Sequence, residues 1–403
     1  MSFMKRLLCC CVAAFLLFSY GIFPACATEQ ANIYPYDFAF EAFWYEDSIS
    51  AATFESSLPR KSALLMEAST GKVLFADNEN ERLPIASVTK VMATLLIMEA
   101  IDQGKLTLSD VITVSERAAS MGGSQVFLEP GEQMTVDDLL KSLIVVSAND
   151  ATVALAEAVY GSEEAFITAM NEKAAALGLE NTNFVNTNGL PAQGHYSSAL
   201  DVAITTRALL EYPLVLNYTG IWMDTIRGGA FGLANTNKLV RFYKGANGMK
   251  TGFTSEAGYC LSATAERDGM TLIAVIMAAP TRDIRNAAAA SLLDFGFANY
   301  CVYRAAGGAV SDISVIGGVK RDCAAEYGEF SCVLKKSDSK GMSSSLEYED
   351  RVPAPVKAGD RLGRIVYKIG EREIGSRDVL ASENVEKISF WGFFLRMLAK
   401  MSL

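Results

Sequence analysis

Histidine is almost missing from these 403 residues; there is one, His195. Cysteine is nearly as scarce once the first 27 residues are set aside. Four of the eight cysteines lie there, and Cys260, Cys301, Cys323 and Cys332 remain, with no Cys-x-x-Cys spacing among them. A structural zinc or a multi-histidine metal site is therefore not expected. Cys323 and Cys332 are near enough in sequence to bridge across a hairpin in an oxidising compartment, a geometry that sequence leaves open. Basic charge is also short, 36 Lys and Arg against 46 Asp and Glu, which argues against a general nucleic-acid binder with its concentrated basic footprint. After the N-terminal stretch, charges interrupt every apolar run well short of the ~20 residues that span a bilayer.

The N-terminal stretch is a separate message. A basic start at Lys5 and Arg6, an apolar core from Leu7 to Phe18 and a small-x-small end at Ala25, Cys26 and Ala27 read as a secretory signal peptide, residues 1–27, with a retained signal anchor as the alternative. Either way the bulk of the chain is expected to be exported. Loss of Lys5 and Arg6 takes the basic count from 36 to 34 against 46 acids, a formal charge of −12. Residues 28 to 403 suffice for two domains and a sizeable core.

Residues 28–60, aromatic and acidic with no settled period, read as a leader or linker. Two strands follow, Ala63 to Glu67 and Lys72 to Ala76, joined by a turn at Ser69, Thr70 and Gly71. A helix is expected from about Ser87 to Ala100, stopped at Asp102 to Gly104. From about 105 to 225 the chain reads as helical pieces whose Thr and Ser starts, followed by acids, suit N-caps. Strand-like runs from Met249 to Pro280, with a tight turn at Arg267 to Gly269, and a closing helix from Ile284 to Tyr300 complete an α/β domain whose sheet joins distant parts of the chain. Residues 301–382 read as a small all-β module. The end, 383–403, places Ile388, Trp391, Leu395 and Leu398 on one helical face, with Lys387, Arg396 and Lys400 for charge. That pattern suits an amphipathic helix lying in a membrane interface, the alternative being a terminal helix docked on its own domain.

Three short stretches could carry chemistry. In "LPIASVTKVMATLLIMEA", Ser87 precedes Lys90 by three residues, so on a helix the amine shares a face with the hydroxyl and could take its proton. Ser-x-x-Lys recurs at Ser2, Ser69 and Ser337, but only Ser87 heads a long apolar helix, whose N–H groups would face a developing negative charge. Burial there would lower the Lys90 pKa and leave a neutral amine as base. In "SLIVVSANDATVAL", Ser147 could hydrogen-bond to Lys90 and relay a proton while Asn149 orients a substrate amide, although Asn149 or Asp150 could equally cap the next helix. In "NGMKTGFTSEAGYC", Lys250 and Thr251 could hold a carboxylate at a strand edge, and Gly252 leaves room for a ligand's backbone to approach. Free N–H groups of such a strand could hold an extended peptide.

Together, Ser-x-x-Lys, Ser-x-Asn and Lys-Thr-Gly, in that order, resemble the signature set of serine penicillin-interacting enzymes. "GKVLFADNENERLPIASVTKVMA", "SANDA", "TNGLPAQGHYSSALDVA" and "GMKTGFTSEAGYCLSA" are similar to the D-alanyl-D-alanine carboxypeptidases of peptidase family S11, the low-molecular-mass penicillin-binding proteins. The resemblance runs from about Lys61 to Leu403. It implies an α/β penicillin-binding, β-lactamase-like transpeptidase fold with an antiparallel sheet and a largely helical subdomain in residues 61–300. A small all-β domain at 301–382 and an amphipathic tail at 383–403 would follow.

The same resemblance implies that Ser87 is the acylated nucleophile, Lys90 the acylation base and Ser147 the proton relay. Asn149 would orient the amide, Lys250 and Thr251 would hold the terminal carboxylate, and the N–H groups of Ser87 and Phe253 would form the oxyanion hole. Phe253 stands where some relatives have His directly after Lys-Thr-Gly. Arg282 could help with the carboxylate or make a surface ion pair, and His195 would hold structure near the cleft floor with neighbouring hydroxyls. The implied reaction removes the terminal D-alanine from peptidoglycan stem pentapeptides and so limits cross-linking, with β-lactams as covalent inhibitors and no cofactor. Localisation would be the outer face of the cytoplasmic membrane. Alternatives are a D,D-endopeptidase using the same residues and a non-enzymatic wall-binding scaffold. A class A β-lactamase fits less well, since no Glu-containing loop motif is found between Asn149 and Lys250.

Overall fold

The computed structural model describes residues 58–348 and 351–401; the expected signal peptide and nearly all of the leader lie outside them. Strand β1 (Ser62–Glu67) is buried at every position, as a continuous apolar run between two covering layers should be. It turns into β2 (Val73–Asp77) through a loop closed by the Glu67 carboxylate, which accepts from the Ser69 and Thr70 N–H groups at 3.1 and 2.8 Å and from both hydroxyls. Gly71, at φ +72°, makes the reversal.

Helix α1 (Lys90–Asp102) is buried nearly all round: α2 (Val136–Val145) packs on α3 (Asn149–Tyr160), and α3, α4 (Glu163–Ala176) and α5 (Ala199–Leu210) pack on α1. The expected caps form: Thr135, Ser162 and Ser198 each accept a hydrogen bond from the N–H three residues on. Helix α3 is different, because its N-cap is Ala148 and neither Asn149 nor Asp150 caps it.

Strands β3 (Ala246–Thr254), β4 (Gly258–Arg267) and β5 (Met270–Ala279) run as an antiparallel meander, and β5 pairs with β1, giving the order β2-β1-β5-β4-β3. The β1–β5 register sets Leu64 opposite Val275 and Leu65 opposite Ala274. Alternation then sends Leu64, Met66, Ile273 and Val275 into the helical core. Leu65 and Leu272 point the other way, toward α6 (Arg282–Asn299), where a Cβ on Gly296 would lie 2.5 Å from Leu272 and 3.0 Å from Leu65. Segments some 200 residues apart thus share one sheet, and β3 stands at its edge.

Beyond α6 the chain is β-rich: β6 (Tyr300–Ala305), β7 (Gly308–Ile316), β8 (Asp322–Tyr327), β9 (Phe330–Lys335), β10 (Met342–Tyr348), β11 (Val352–Pro353), β12 (Arg361–Ile369) and β13 (Arg372–Ala381). Six form a sheet of order β10-β12-β13-β8-β7-β11, while β6 pairs with β9. Two small cores result. Ile313, Val315, Cys323, Ala325 and Val379 fill one; Phe330 stacked on Tyr367, centroids 4.0 Å apart, anchors the other.

Those two cores explain why Cys323 and Cys332 do not bridge. Cys323 lies on β8 in the first core and Cys332 on β9 against the second; both are free thiols, as are Cys260 and Cys301. At the end of the described chain, α7 (Phe390–Met401) exposes Trp391, Leu395 and Leu398 together with Phe390, Phe393 and Met401. Ile388, expected on that helix, instead lies before it, its N–H bonded to the Gly317 carbonyl. Among the described residues no helix is long and apolar enough to cross a membrane.

Candidate active site

Ser87 does not sit in the first turn of α1. Residues Ala86–Thr89 form a separate 3-10 turn, entered through Ala86 at φ +47°, and the α-helix begins only at Lys90. A left-handed alanine costs on the order of 1 kcal/mol and is retained where the surroundings over-determine it. Here the surroundings are backbone on both sides. A Cβ on Gly252 of β3 would lie 2.7 Å from the Ile85 carbonyl and 3.0 Å from the Ser87 nitrogen, and one on Gly189 would lie 1.8 Å from the Ala86 carbonyl. Two glycines therefore let β3 and the 187–190 loop close directly on the turn that carries Ser87.

Lys90 is wholly buried. Its Nζ lies 2.6 Å from Asn149 Oδ1, 2.8 Å from the Asn188 carbonyl and 3.1 Å from Ser87 Oγ. Burial first, then the neighbouring Lys250 charge, hold its pKa well below the usual lysine value, against the opposing pull of Asp150. A neutral amine has two N–H donors and one lone pair. In that neutral form the two fixed carbonyl oxygens would take both donors, and the lone pair would face the Ser87 hydroxyl.

Asn149 holds Lys90 rather than standing free. Its Nδ2 donates to the Gly122 carbonyl at 2.6 Å and its backbone N–H to Ser124 at 2.7 Å, fixing the 120s loop beside the site. Asp150, buried, accepts from the N–H groups of Val126 and Leu128 in the same loop. Ser147 is the outlier. It is 4% exposed, adopts φ +65°, and its Oγ has no hydrogen-bond partner among the described residues; the expected bond to Lys90 is not made. A buried hydroxyl left unpaired costs about 1–3 kcal/mol.

On β3, Lys250 is buried with its Nζ donating to the Thr251 carbonyl at 3.0 Å, and Thr251 Oγ1 meets Thr236 Oγ1 at 2.8 Å. Burial, and then the charge of Arg285, push the Lys250 pKa down to about 7. Arg282, singled out in the sequence, is exposed at the start of α6. One turn on, Arg285 is 2% exposed and contacts the Cys260 carbonyl and Asn286. Arg285 is thus the buried cation beside Lys250, and the i, i+3 spacing in "RDIR" is the signal that could have found it. The Phe253 ring is half exposed and packs on Tyr259, centroids 4.3 Å apart.

Two further elements were not singled out: the Asn188 carbonyl, which takes one Lys90 N–H, and Gly189. Both lie in the "TNG" turn, and neither a backbone carbonyl nor a close approach has a side-chain signature. The arrangement as a whole can deprotonate a serine hydroxyl and hold an anion on the adjoining strand edge.

Comparison with known proteins follows the same division of the chain. The family described as D-alanyl-D-alanine carboxypeptidase matches residues 49–281, and the penicillin-binding protein 5 C-terminal domain matches 304–387. The chain is 43% identical over 369 residues to D-alanyl-D-alanine carboxypeptidase DacF of Bacillus subtilis, covering 90% of this chain and 94% of that protein. It is 34% identical over 379 residues to D-alanyl-D-alanine carboxypeptidase DacC of Escherichia coli, covering 88% and 90%. Penicillin-binding protein 5 of Haemophilus influenzae superposes with a TM-score of 0.75 at 31% identity, covering 83% of this chain and all of that one. Ampicillin-bound penicillin-binding protein D2 of Listeria monocytogenes gives 0.55 at 31%, covering 60% and 99%.

Proposed function

This chain belongs to the D-alanyl-D-alanine carboxypeptidase family, and we propose that it releases the terminal D-alanine of peptidoglycan stem peptides through an acyl-enzyme on Ser87. The observation that carries the assignment of Ser87 is the wholly buried Lys90 amine, held by the Asn149 side-chain oxygen and the Asn188 carbonyl with Ser87 Oγ 3.1 Å away.

Ser87 Oγ attacks the carbonyl between the last two D-alanines as its proton passes to Lys90 Nζ. The carbonyl oxygen becomes an oxyanion, received by the N–H groups of Ser87 and Phe253. Collapse breaks the C–N bond, and the proton that Lys90 received passes through Ser147 to the departing amine, leaving Lys90 neutral again. Free D-alanine leaves; water then cleaves the ester and the shortened stem peptide departs. Lys250, Thr251 and Arg285 hold the terminal carboxylate, whose charge restores the ammonium of a Lys250 poised near pH 7. β-Lactams acylate the same hydroxyl. A cross-link-cutting endopeptidase would use identical residues, and a D-alanyl-D-alanine endopeptidase of Pseudomonas aeruginosa is 33% identical over 213 residues. Purified cross-linked dimers offered beside a pentapeptide separate the two activities.

The direct test is D-alanine release from a peptide ending in D-Ala-D-Ala, by the native chain and by Ser87→Ala. Release by the native chain alone supports the assignment; release by both, or by neither, overturns it. Export with attachment to the outer face of the cytoplasmic membrane through α7 is part of the same reading, with the β-rich module as a stand. The ties of Glu386, Lys387 and Ile388 to residues 317–319 make truncation after Ser389 the cleaner test than removal of 386–403. Truncated protein should leave membranes and keep its activity on soluble peptides; retention on membranes excludes α7 as the anchor.

A further inference from the structure

The single histidine occupies a chain of hydrogen bonds that ends at the nucleophile's own peptide plane. The Val185 N–H donates to His195 Nδ1 at 3.1 Å, which requires a lone pair there and places the ring proton on Nε2. Nε2 lies 2.7 Å from Thr89 Oγ1, so this N–H donates to the hydroxyl, and the hydroxyl's own proton goes to the Ala86 carbonyl at 2.8 Å. Every hydrogen in the sequence Val185, His195, Thr89, Ala86 has one direction. The ring is 7% exposed and edge-on to Phe184, so water has little access to reverse it.

The Ala86 carbonyl and the Ser87 N–H are the two ends of one planar peptide unit. Fixing the oxygen fixes the direction of the N–H, and a hydrogen bond accepted by the oxygen polarises the N–H at the far end. Ala86 stands at φ +47°, so nothing in its own conformational preference would hold that plane. We infer that His195, acting through Thr89, is a positioning residue for the oxyanion hole: it sets and polarises the peptide plane whose N–H receives the developing negative charge. The inference rests on the assignment of Ser87 as nucleophile.

The test uses the native chain, His195→Leu and Thr89→Val, each acylated by benzylpenicillin carbon-13-labelled at the β-lactam carbonyl. The infrared stretch of the resulting ester reads the strength of the hydrogen bonds on its oxygen, which a merely structural role would not move. In both variants the stretch should rise in frequency and the acylation rate fall about tenfold, less than the 10²–10³ lost with a whole oxyanion donor. Thr89→Val keeps the side-chain shape and the histidine, so it serves if His195→Leu does not fold. Folded variants with native frequency and native acylation rate overturn the inference alone. No adduct on the native chain overturns the Ser87 assignment and the inference with it. Because there is one histidine, its nitrogen-15 resonances need no assignment; a proton found on Nδ1 would also refute the relay.

Discussion

Gly189→Ala tests whether contact with the 187–190 loop shapes the turn carrying Ser87. Gly189 has φ +83°, and a Cβ there would lie 1.8 Å from the Ala86 oxygen, 2.2 Å from its carbonyl carbon and 2.9 Å from the Ser87 nitrogen. Relief to 3.0 Å demands a displacement of at least 1.2 Å (3.0 less 1.8), and the obstacle is backbone on both sides. The left-handed alanine costs about 1–2 kcal/mol and overpacking about 1–3, so about 2–5 kcal/mol of stability should be lost. Moving the Ala86–Ser87 peptide displaces the nucleophile, and pushing back the loop withdraws the Asn188 carbonyl from Lys90. A misplacement near 1 Å costs about 10²-fold in rate. Gly194→Ala is the control, because Gly194 has φ +82° in the same loop while its nearest neighbour would be 3.9 Å away. It carries the conformational cost without the clash. The assays are urea denaturation and the rate of β-lactam acylation of folded protein. If Gly189→Ala acylates at the native rate, or the two variants behave alike, close approach at the nucleophile is not what requires glycine there.

Burial alone lowers the His195 pKa from 6.5 to about 4. Between those values the unfolded chain takes up the proton first, so the contribution is whole above about pH 6.5 and is lost as pH falls toward 4. At 1.36 kcal/mol per unit it amounts to about 3 kcal/mol. Denaturation of the native chain and His195→Gln at pH 7, 5 and 4 should show the variant losing less, with carboxylate effects cancelling in the difference; parallel losses would refute it. Asp150 pulls the Lys90 pKa upward, so Asp150→Asn should move the acid limb of kcat/KM to lower pH. A limb that moves upward would mean that the carboxylate does not act on Lys90 by its charge.

Much of the fold was legible because it rests on local chemistry and alternation. The β1–β2 turn is closed by a carboxylate beside two hydroxyls and a glycine, and three helices begin where Thr or Ser precedes acids. Elsewhere a distant contact overrides local preference. Ser87 was expected in the first turn of a helix, but strand β3 and the Gly189 loop press on both sides of it and leave a 3-10 turn entered through a left-handed alanine. Ile388 was assigned to the terminal helix by its spacing, but its N–H is taken by the Gly317 carbonyl.

For the chemistry the division is similar. The sequence by itself determined which side chains could react: a serine three residues before a lysine, a second serine before an asparagine, and a lysine-threonine-glycine run at the start of a strand. Only the tertiary structure decided their states. It buried Lys90, directed two carbonyl oxygens at its N–H groups, left the Ser147 hydroxyl unpaired, and put Arg285 rather than Arg282 beside Lys250. The physical reason is that an ionisable group's charge and a hydroxyl's partner depend on desolvation and on oriented dipoles from segments far away in the chain, and neither leaves a mark in local spacing.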